Sequence, residues 1–272
     1  MTSKKTTSTK PVKKDRKKQI WKTVLNVFLL LVWVAAVVIV AQIVIGYLML
    51  WILGKDNFSK PVPMAIYSAL SYILAFICVL YVTPKLVLNR KNKTKRLQII
   101  SKNSSRNDLG LREWPTWTDI GLAPVGFIVS LLLAAIFVGI FSLFPWFDAE
   151  QVQEIGFSTY LVGFDRIIAF ITLVLVAPVA EELIFRGWLY GKLRPILSGR
   201  ISDRASMIIS TLLVSLLFGA IHMQWNVGVN VFALSVVLCS LREITGTIYS
   251  GILVHMLKNG IAFYMLYVIG IR

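Results

Sequence analysis

The residues best suited to chemistry in this chain lie in three strongly apolar segments. One segment carries the only adjacent pair of acids, Glu181 and Glu182, with Arg186 a few positions later. The other two segments carry the only histidines, His222 and His255. Ionisable side chains are costly in water-free surroundings, so within membrane segments they usually face the bundle interior and mark function. If the three segments converge, two carboxylates, a guanidinium and two imidazoles share one site.

On a helix, the two neighbouring glutamates point in different directions. Glu182 and Arg186 are four residues apart and share a face, so they are predicted to form an ion pair. Glu181 is rotated by about 100° from Glu182 and points away from that pair. The spacing therefore predicts that Glu182 and Arg186 support the structure of the site. Glu181 then remains available as a general base.

Each histidine has a companion one helical turn away. Phe218 precedes His222 by four residues, and Gly219 after it permits the close approach of another helix. His255 and Asn259 are also four residues apart and share one face. Histidine and asparagine side chains on such a face can donate hydrogen bonds to a developing oxyanion.

The same residues allow a second chemistry, in which a metal ion activates water. Two histidines and a glutamate are the ligand types of the His₂Glu zinc sites found in some hydrolases. Glu181, His222 and His255 would be the ligands here. The chain lacks His-Glu-x-x-His, the usual signal of a zinc protease. The cofactor is therefore left open between none and zinc.

The composition indicates the scaffold that must position these groups. The 272 residues are 57% hydrophobic and 15% charged, whereas a soluble domain has about a quarter charged residues. Several apolar runs exceed the roughly 20 residues that a helix needs to cross a bilayer. These runs do not alternate with period two, which favours helices over a barrel. We predict an all-α polytopic bundle of about seven transmembrane helices, over residues 20–53, 61–88, 118–144, 164–190, 205–223, 227–242 and 247–271.

The net charge of +16 is distributed in the manner of a membrane protein. Lys and Arg cluster in residues 1–19, 90–120 and 191–206, whereas residues 145–163 contain none. This alternation follows the positive-inside rule, so the basic residues predict orientation in a lipid bilayer and not a nucleic-acid partner. We expect a multi-pass protein of the cell membrane with a cytosolic N-terminus and a site that opens toward the cytosol.

Changes in composition along the chain predict four parts. Residues 1–19 form a basic, disordered cytosolic tail, and 20–89 form two N-terminal transmembrane helices. Residues 90–117 form a basic cytosolic linker, and 118–272 form the bundle that carries all the candidate site residues.

Taken in order, the three motifs resemble those of the CPBP family of intramembrane proteases. They are Glu-Glu-x-x-x-Arg at 181–186, Phe-x-x-x-His at 218–222 and His-x-x-x-Asn at 255–259. The family is named for CAAX proteases and bacteriocin-processing enzymes, and it includes the Ras-converting prenyl protease. The similarity extends over about residues 118–272, and the lysine-rich tail looks like the bacterial branch of the family.

The resemblance implies intramembrane endopeptidase activity on a membrane-embedded or membrane-associated peptide or protein. By the family pattern, Glu181 and His222 would activate a water, and His255 and Asn259 would stabilise the oxyanion. Glu182, Arg186 and Phe218 would support the site. Both metal-dependent and metal-free schemes are held for this family. Two alternatives stay open: a non-proteolytic immunity or regulatory membrane protein, and a proton-coupled transporter that uses the same buried Glu and His.

Overall fold

The chain folds into a bundle of helices. The structure, a computed structural model, describes residues 13–82, 104–111, 114–151, 157 and 161–270. Every regular element within these ranges is helical, and seven helices are long and apolar enough to cross a membrane. The predicted all-α polytopic fold is therefore confirmed.

Eight helices follow one another along the described residues. They are α1 (Lys13–Leu53), α2 (Lys55–Phe58), α3 (Pro61–Ile77), α4 (Trp117–Phe141), α5 (Gly163–Ser198), α6 (Asp203–Ala220), α7 (Trp225–Thr245) and α8 (Tyr249–Tyr264). Helices α3 and α8 continue with π-helical geometry to Val82 and Ile269. Helix α5 contains two π-helical segments, Ile171–Val176 and Leu183–Tyr190. Such segments are frequent at functional sites, and the second begins directly after the glutamate pair.

Helix α5 is longer than the sequence predicts. The basic segment 191–206 was predicted to be a loop, but the helix continues to Ser198. The charge of Arg194 is balanced there, because its guanidinium bonds to Glu243 and to Asp203, each at 2.8 Å. A paired arginine can lie on a packed helix, so a run of basic residues did not require a loop at this position.

Two other helix ends differ from the prediction. Helix α6 stops at Ala220, so His222 lies in the turn that follows and not inside the helix. The chain reverses direction there because Met223 adopts a φ of 58°. At the N-terminus, α1 begins at Lys13, earlier than the predicted Ile20. Residues 1–12 of the predicted tail lie outside the described residues.

Helix α4 is fixed at its start by a capping box. The cap residue is Thr116, whose hydroxyl accepts from the Asp119 backbone N–H. The Asp119 carboxylate in turn accepts from the Thr116 backbone N–H. Its other oxygen accepts from Thr247 at 3.0 Å and Ser250 at 2.6 Å. Asp119 therefore ties the start of α4 to the start of α8.

The N-terminal helices share a hydrophobic core with the helices that carry the motifs. One cluster of buried side chains contains members from five helices: Val34 of α1, Ala75 of α3, Phe185 of α5, Phe218 of α6 and Val231 of α7. The predicted division at residue 118 stays a prediction. Residues 90–103 and 112–113 of the predicted linker lie outside the described residues.

Helices α6 and α7 approach closely where two glycines face each other. A Cβ atom added to Gly219 would stand 2.7 Å from the backbone oxygen of Gly228. One added to Gly228 would lie 3.1 Å from the backbone oxygen of Gly219. The sequence predicted that Gly219 permits a close approach, and the geometry agrees. This contact holds Phe218 and His222 against the rest of the bundle.

Replacing Gly219 by Ala is expected to lower the free energy of unfolding by about 1–3 kcal/mol, because a rigid backbone oxygen must move to admit the methyl group. Thermal or denaturant unfolding of the purified protein in detergent measures the change. Gly139→Ala on α4 is the control, since nothing lies within 4 Å of its added Cβ. An equal, small effect for both variants would contradict the tight contact.

Candidate active site

The two adjacent glutamates of α5 have different surroundings, as their spacing predicted. The Glu182 carboxylate is fully buried, and its Oε1 accepts a hydrogen bond from Arg186 Nη1 at 2.8 Å. Arg186 is also fully buried, so the pair is a desolvated ion pair within one helix. The Glu181 side chain points elsewhere and keeps 14% of its surface exposed. The charge of Glu182 is thus neutralised within its own helix, whereas the Glu181 carboxylate faces neighbouring helices.

His255 of α8 stands between the two glutamates. Its Nδ1 lies 3.1 Å from Glu182 Oε1, and its Nε2 lies 3.7 Å from Glu181 Oε2. Because the Glu182 carboxylate accepts from Arg186, it acts on His255 as an acceptor too, and the histidine proton is on Nδ1. The remaining distance is too long for a direct hydrogen bond and short enough for one water to contact both groups. The structure therefore brings His255 directly to Glu181.

His222 reaches the same region from the turn after α6. Its Nδ1 lies 2.7 Å from the backbone oxygen of Phe218, which can only accept. The proton is therefore on Nδ1, and Nε2 is the acceptor of the ring. The Glu181 charge acts on this imidazole, which places the two groups within electrostatic range. The geometry leaves His222 with the lone pair that a base requires.

The Phe218 ring separates and orients the polar groups. The Arg186 guanidinium carbon lies 4.5 Å from the ring centroid, a cation–π distance. The ring also makes edge contacts with His222 at 5.0 Å, with His255 at 5.9 Å and with Phe185 at 4.9 Å between centroids. Because Phe218 is completely buried, it gives both imidazoles and the guanidinium a rigid apolar support.

Asn259 lies one turn beyond His255 on α8. Its Nδ2 donates to the backbone oxygen of Leu173 in α5, at 3.0 Å. A carboxamide nitrogen carries two hydrogens, so this bond fixes the orientation of the amide and leaves a second N–H to donate. Asn259 is thus held by the helix that carries the glutamates, and one of its amide N–H groups remains free to donate.

Helix α8 comes close to Glu182 because Gly251 has no side chain. A Cβ atom added at Gly251 would lie 3.1 Å from Glu182 Oε2. That oxygen is buried and has no hydrogen-bond partner among the residues that the structure describes. The glycine therefore lets His255, one turn later, reach the glutamate pair.

Two polar residues at the site were not selected from the sequence. Tyr72 of α3 donates a hydrogen bond to Glu181 Oε1. Lys258, beside Asn259, is partly buried, and its charge acts on Glu181 and on His222. A lysine inside a membrane span is itself a signal of function and could have drawn attention to Lys258. Tyrosine is common in apolar segments, so the sequence contained no comparable signal for Tyr72.

The predicted zinc set is not assembled in this arrangement. Within the described ranges, no three His, Cys, Asp or Glu side chains form a group able to hold a metal ion. Nδ1 of His255 is engaged with Glu182 and Nδ1 of His222 with a backbone oxygen, so each ring could offer only Nε2. One free nitrogen on each ring is sufficient for a ligand. Glu181, His222 and His255 nevertheless do not form a group able to hold a metal ion without side-chain movement, and we derive no step through one.

Seven apolar helices around a buried set of carboxylates and imidazoles define a polytopic membrane protein with an intramembrane polar site. Residues 163–261 match the family model described as "Rce1-like: Type II CAAX prenyl endopeptidase Rce1-like". The match covers less than half of the chain, from the start of α5 to near the end of α8, and includes all three motifs. This match confirms, over residues 163–261, the resemblance to the CAAX-protease family that the sequence motifs indicated.

A comparison with curated proteins gave no match, and a comparison with solved structures gave none either. The assignment therefore depends on the family model and on the site. The family implies protease activity and a membrane-associated substrate. Membership of the bacterial branch stays a prediction.

Proposed function

We propose that this protein is an intramembrane endopeptidase in which Glu181 activates the water that attacks a peptide bond of a membrane-associated substrate. One observation carries the proposal. The Glu181 carboxylate faces His255 and Tyr72 inside an apolar bundle, while the neighbouring Glu182 is neutralised by Arg186. A carboxylate that is costly to bury and is not consumed by a local cation is suited to proton transfer.

In the proposed reaction, Glu181 takes a proton from a water molecule as the water oxygen attacks the scissile carbonyl carbon. The Nε2 lone pair of His222 accepts a hydrogen bond from the same water and orients it. When the tetrahedral intermediate collapses, the proton held by Glu181 passes to the leaving amine. One water is consumed, and a carboxyl group and an amine are formed.

The negative charge that develops on the carbonyl oxygen needs donors nearby. The second N–H of Asn259 is the first candidate, because Leu173 already holds the amide in place. His255 is the second in its doubly protonated form, in which Glu182 accepts from Nδ1–H and Nε2–H is free to donate. Lys258 adds positive charge beside these donors. Preorganised donors of this kind contribute most of the rate enhancement in many hydrolases.

We further propose that the N-terminus is cytosolic and that the site opens toward the cytosol. The distribution of basic residues supports this orientation. The substrate is a membrane-embedded or membrane-associated peptide or protein, and the bilayer is the second partner. Membership of the bacterial branch would favour peptide substrates without a prenyl group.

The proposal is tested by incubating the purified protein, in detergent and in liposomes, with a library of membrane-active peptides. Mass spectrometry then identifies the products. Cleavage by the wild type that is lost in both Glu181→Gln and His222→Ala is the expected result. Cleavage that is undiminished in both variants would disprove the assigned chemistry. Proton flux through peptide-free liposomes, without any cleavage, would favour the transporter alternative.

Metal involvement is tested on the same preparation. Activity is measured before and after treatment with a chelator, and the metal content of active protein is measured by mass spectrometry. Because the donors do not form a metal-binding group, we expect activity to withstand chelation. Loss of activity on chelation and its recovery with added zinc would contradict the metal-free scheme.

A further inference from the structure

A small pocket lined by both polar and apolar side chains lies between α1 and α3, and Tyr72, which contacts Glu181, is one of its lining residues. Its volume is about 60 Å³. The residues that line it include Val38 and Gln42 of α1, and Tyr67, Ser68, Ser71 and Tyr72 of α3. These two helices lie outside the segment that matches the family model.

The pocket has the size and polarity to hold water. A cavity needs roughly 10–15 Å³ to contain one water molecule, so this one has room for a few. Ser71 is buried, and its Oγ makes no hydrogen bond of normal geometry within the described part of the chain, although the Tyr67 side chain lies beside it. Ser68 Oγ donates to the Met64 backbone oxygen and can still accept. A buried hydroxyl left without a partner costs about 1–3 kcal/mol, which a bound water removes.

Tyr72 connects the pocket to the glutamate. Tyr72 is one of the residues that line the pocket, and its hydroxyl donates to Glu181 Oε1. A phenolic oxygen can accept a hydrogen bond from water while its own hydrogen is donated. A water in the pocket can therefore bond to the Tyr72 oxygen, which leaves a single hydroxyl between that water and the carboxylate.

We propose that this pocket is a water-binding site whose water holds the Tyr72 hydroxyl, and that Tyr72 in turn positions the Glu181 carboxylate. The inference depends on the proposed function for its purpose, because a base that takes a proton from the attacking water must be held in a fixed position. The occupant is water. Ordered water in membrane bundles serves to satisfy such buried polar groups.

Occupancy is tested without any measurement of activity. The protein in lipid nanodiscs is exposed to a microsecond pulse of hydroxyl radicals, which label side chains next to bound water. We expect Tyr72 to be labelled in the wild type and much less in Ser71→Leu, where the longer side chain fills the pocket. Tyr267, buried outside the pocket, is the internal reference. Two results would overturn the water site. One is that Tyr72 is labelled no more than Tyr267, and the other is that Ser71→Leu leaves the labelling of Tyr72 unchanged.

The link to catalysis is tested by kinetics. Tyr72→Phe removes a hydrogen bond to a charged group and is expected to lower kcat by about 10- to 100-fold with KM unchanged. It should also shift the infrared carboxylate band that Glu181→Gln removes, which a purely structural effect would not do. Ser71→Val should lower kcat as well. Tyr81→Phe on an exposed face and Ser235→Val at another buried hydroxyl without a partner are the matched controls.

The outcomes separate the two proposals. If no peptide is cleaved but Tyr72 is labelled, the proposed function fails and the water site stands. If cleavage occurs and Tyr72 stays unlabelled, the water site fails and the proposed function stands. A normal kcat in both Tyr72→Phe and Ser71→Val would overturn the positioning of Glu181 by Tyr72 and its pocket water. Folding of each variant is checked by gel filtration and thermal unfolding.

Discussion

Replacing Glu181 by Gln is expected to lower kcat by at least about 10²–10⁴-fold, because the amide cannot take a proton from water. The substitution keeps the size of the side chain and its ability to accept from Tyr72. KM and the unfolding temperature should therefore change little. Single-turnover cleavage of the best library peptide measures the chemical step directly.

Glu150→Gln is the control for this variant, since Glu150 lies on the exposed loop after α4 and should retain full activity. Asn259→Ala gives a second comparison. Loss of one oxyanion donor is expected to cost about 10²–10³-fold, while cleavage at the same bond persists. A Glu181→Gln variant that cleaves within a few-fold of the wild type would show that another group is the base.

Replacing Arg186 by Met is expected to cost about 3–5 kcal/mol of stability, the largest structural effect at the site. The substitution leaves the fully buried Glu182 carboxylate without its cation, and His255 alone remains as a partner. The Phe218 ring also loses its cation–π contact. Unfolding in a graded mixture of mild and denaturing detergents measures the change.

The double variant Arg186→Met/Glu182→Gln distinguishes a lost ion pair from lost packing. Removal of both charges eliminates the uncompensated carboxylate, so the double variant should be more stable than Arg186→Met alone. Arg200→Met is the control, because Arg200 is exposed and should change stability by less than about 0.5 kcal/mol. If the effects of Arg186→Met and Glu182→Gln on the free energy of unfolding simply add in the double variant, the two side chains are not coupled.

Contacts within one helix were predictable from spacing. Glu182 and Arg186 meet because residues four apart share a face, whatever the rest of the bundle does. The close approach at Gly219 was also predictable, since a glycine in a membrane helix is the usual point of close packing. The number of spanning helices followed from the length of the apolar runs.

The partners of the histidines were less predictable. Pattern and resemblance paired His222 with Glu181, and His255 with Asn259. The structure places His255 against both glutamates and directs one N–H of Asn259 to Leu173 of α5. These contacts depend on the rotation and depth of α8 relative to α5, which spacing along one helix does not contain. The catalytic roles drawn from the resemblance remain predictions.

The three apolar segments with their ionisable residues determined by themselves that this is a membrane protein with an intramembrane site. Hydrophobic length and local spacing are properties of the chain itself, so they can be read without a fold. Only the tertiary structure decided that α3 joins the site, because the bond from Tyr72 to Glu181 spans 109 positions of the chain. Contacts of that kind follow from how whole helices pack, and no local pattern encodes them.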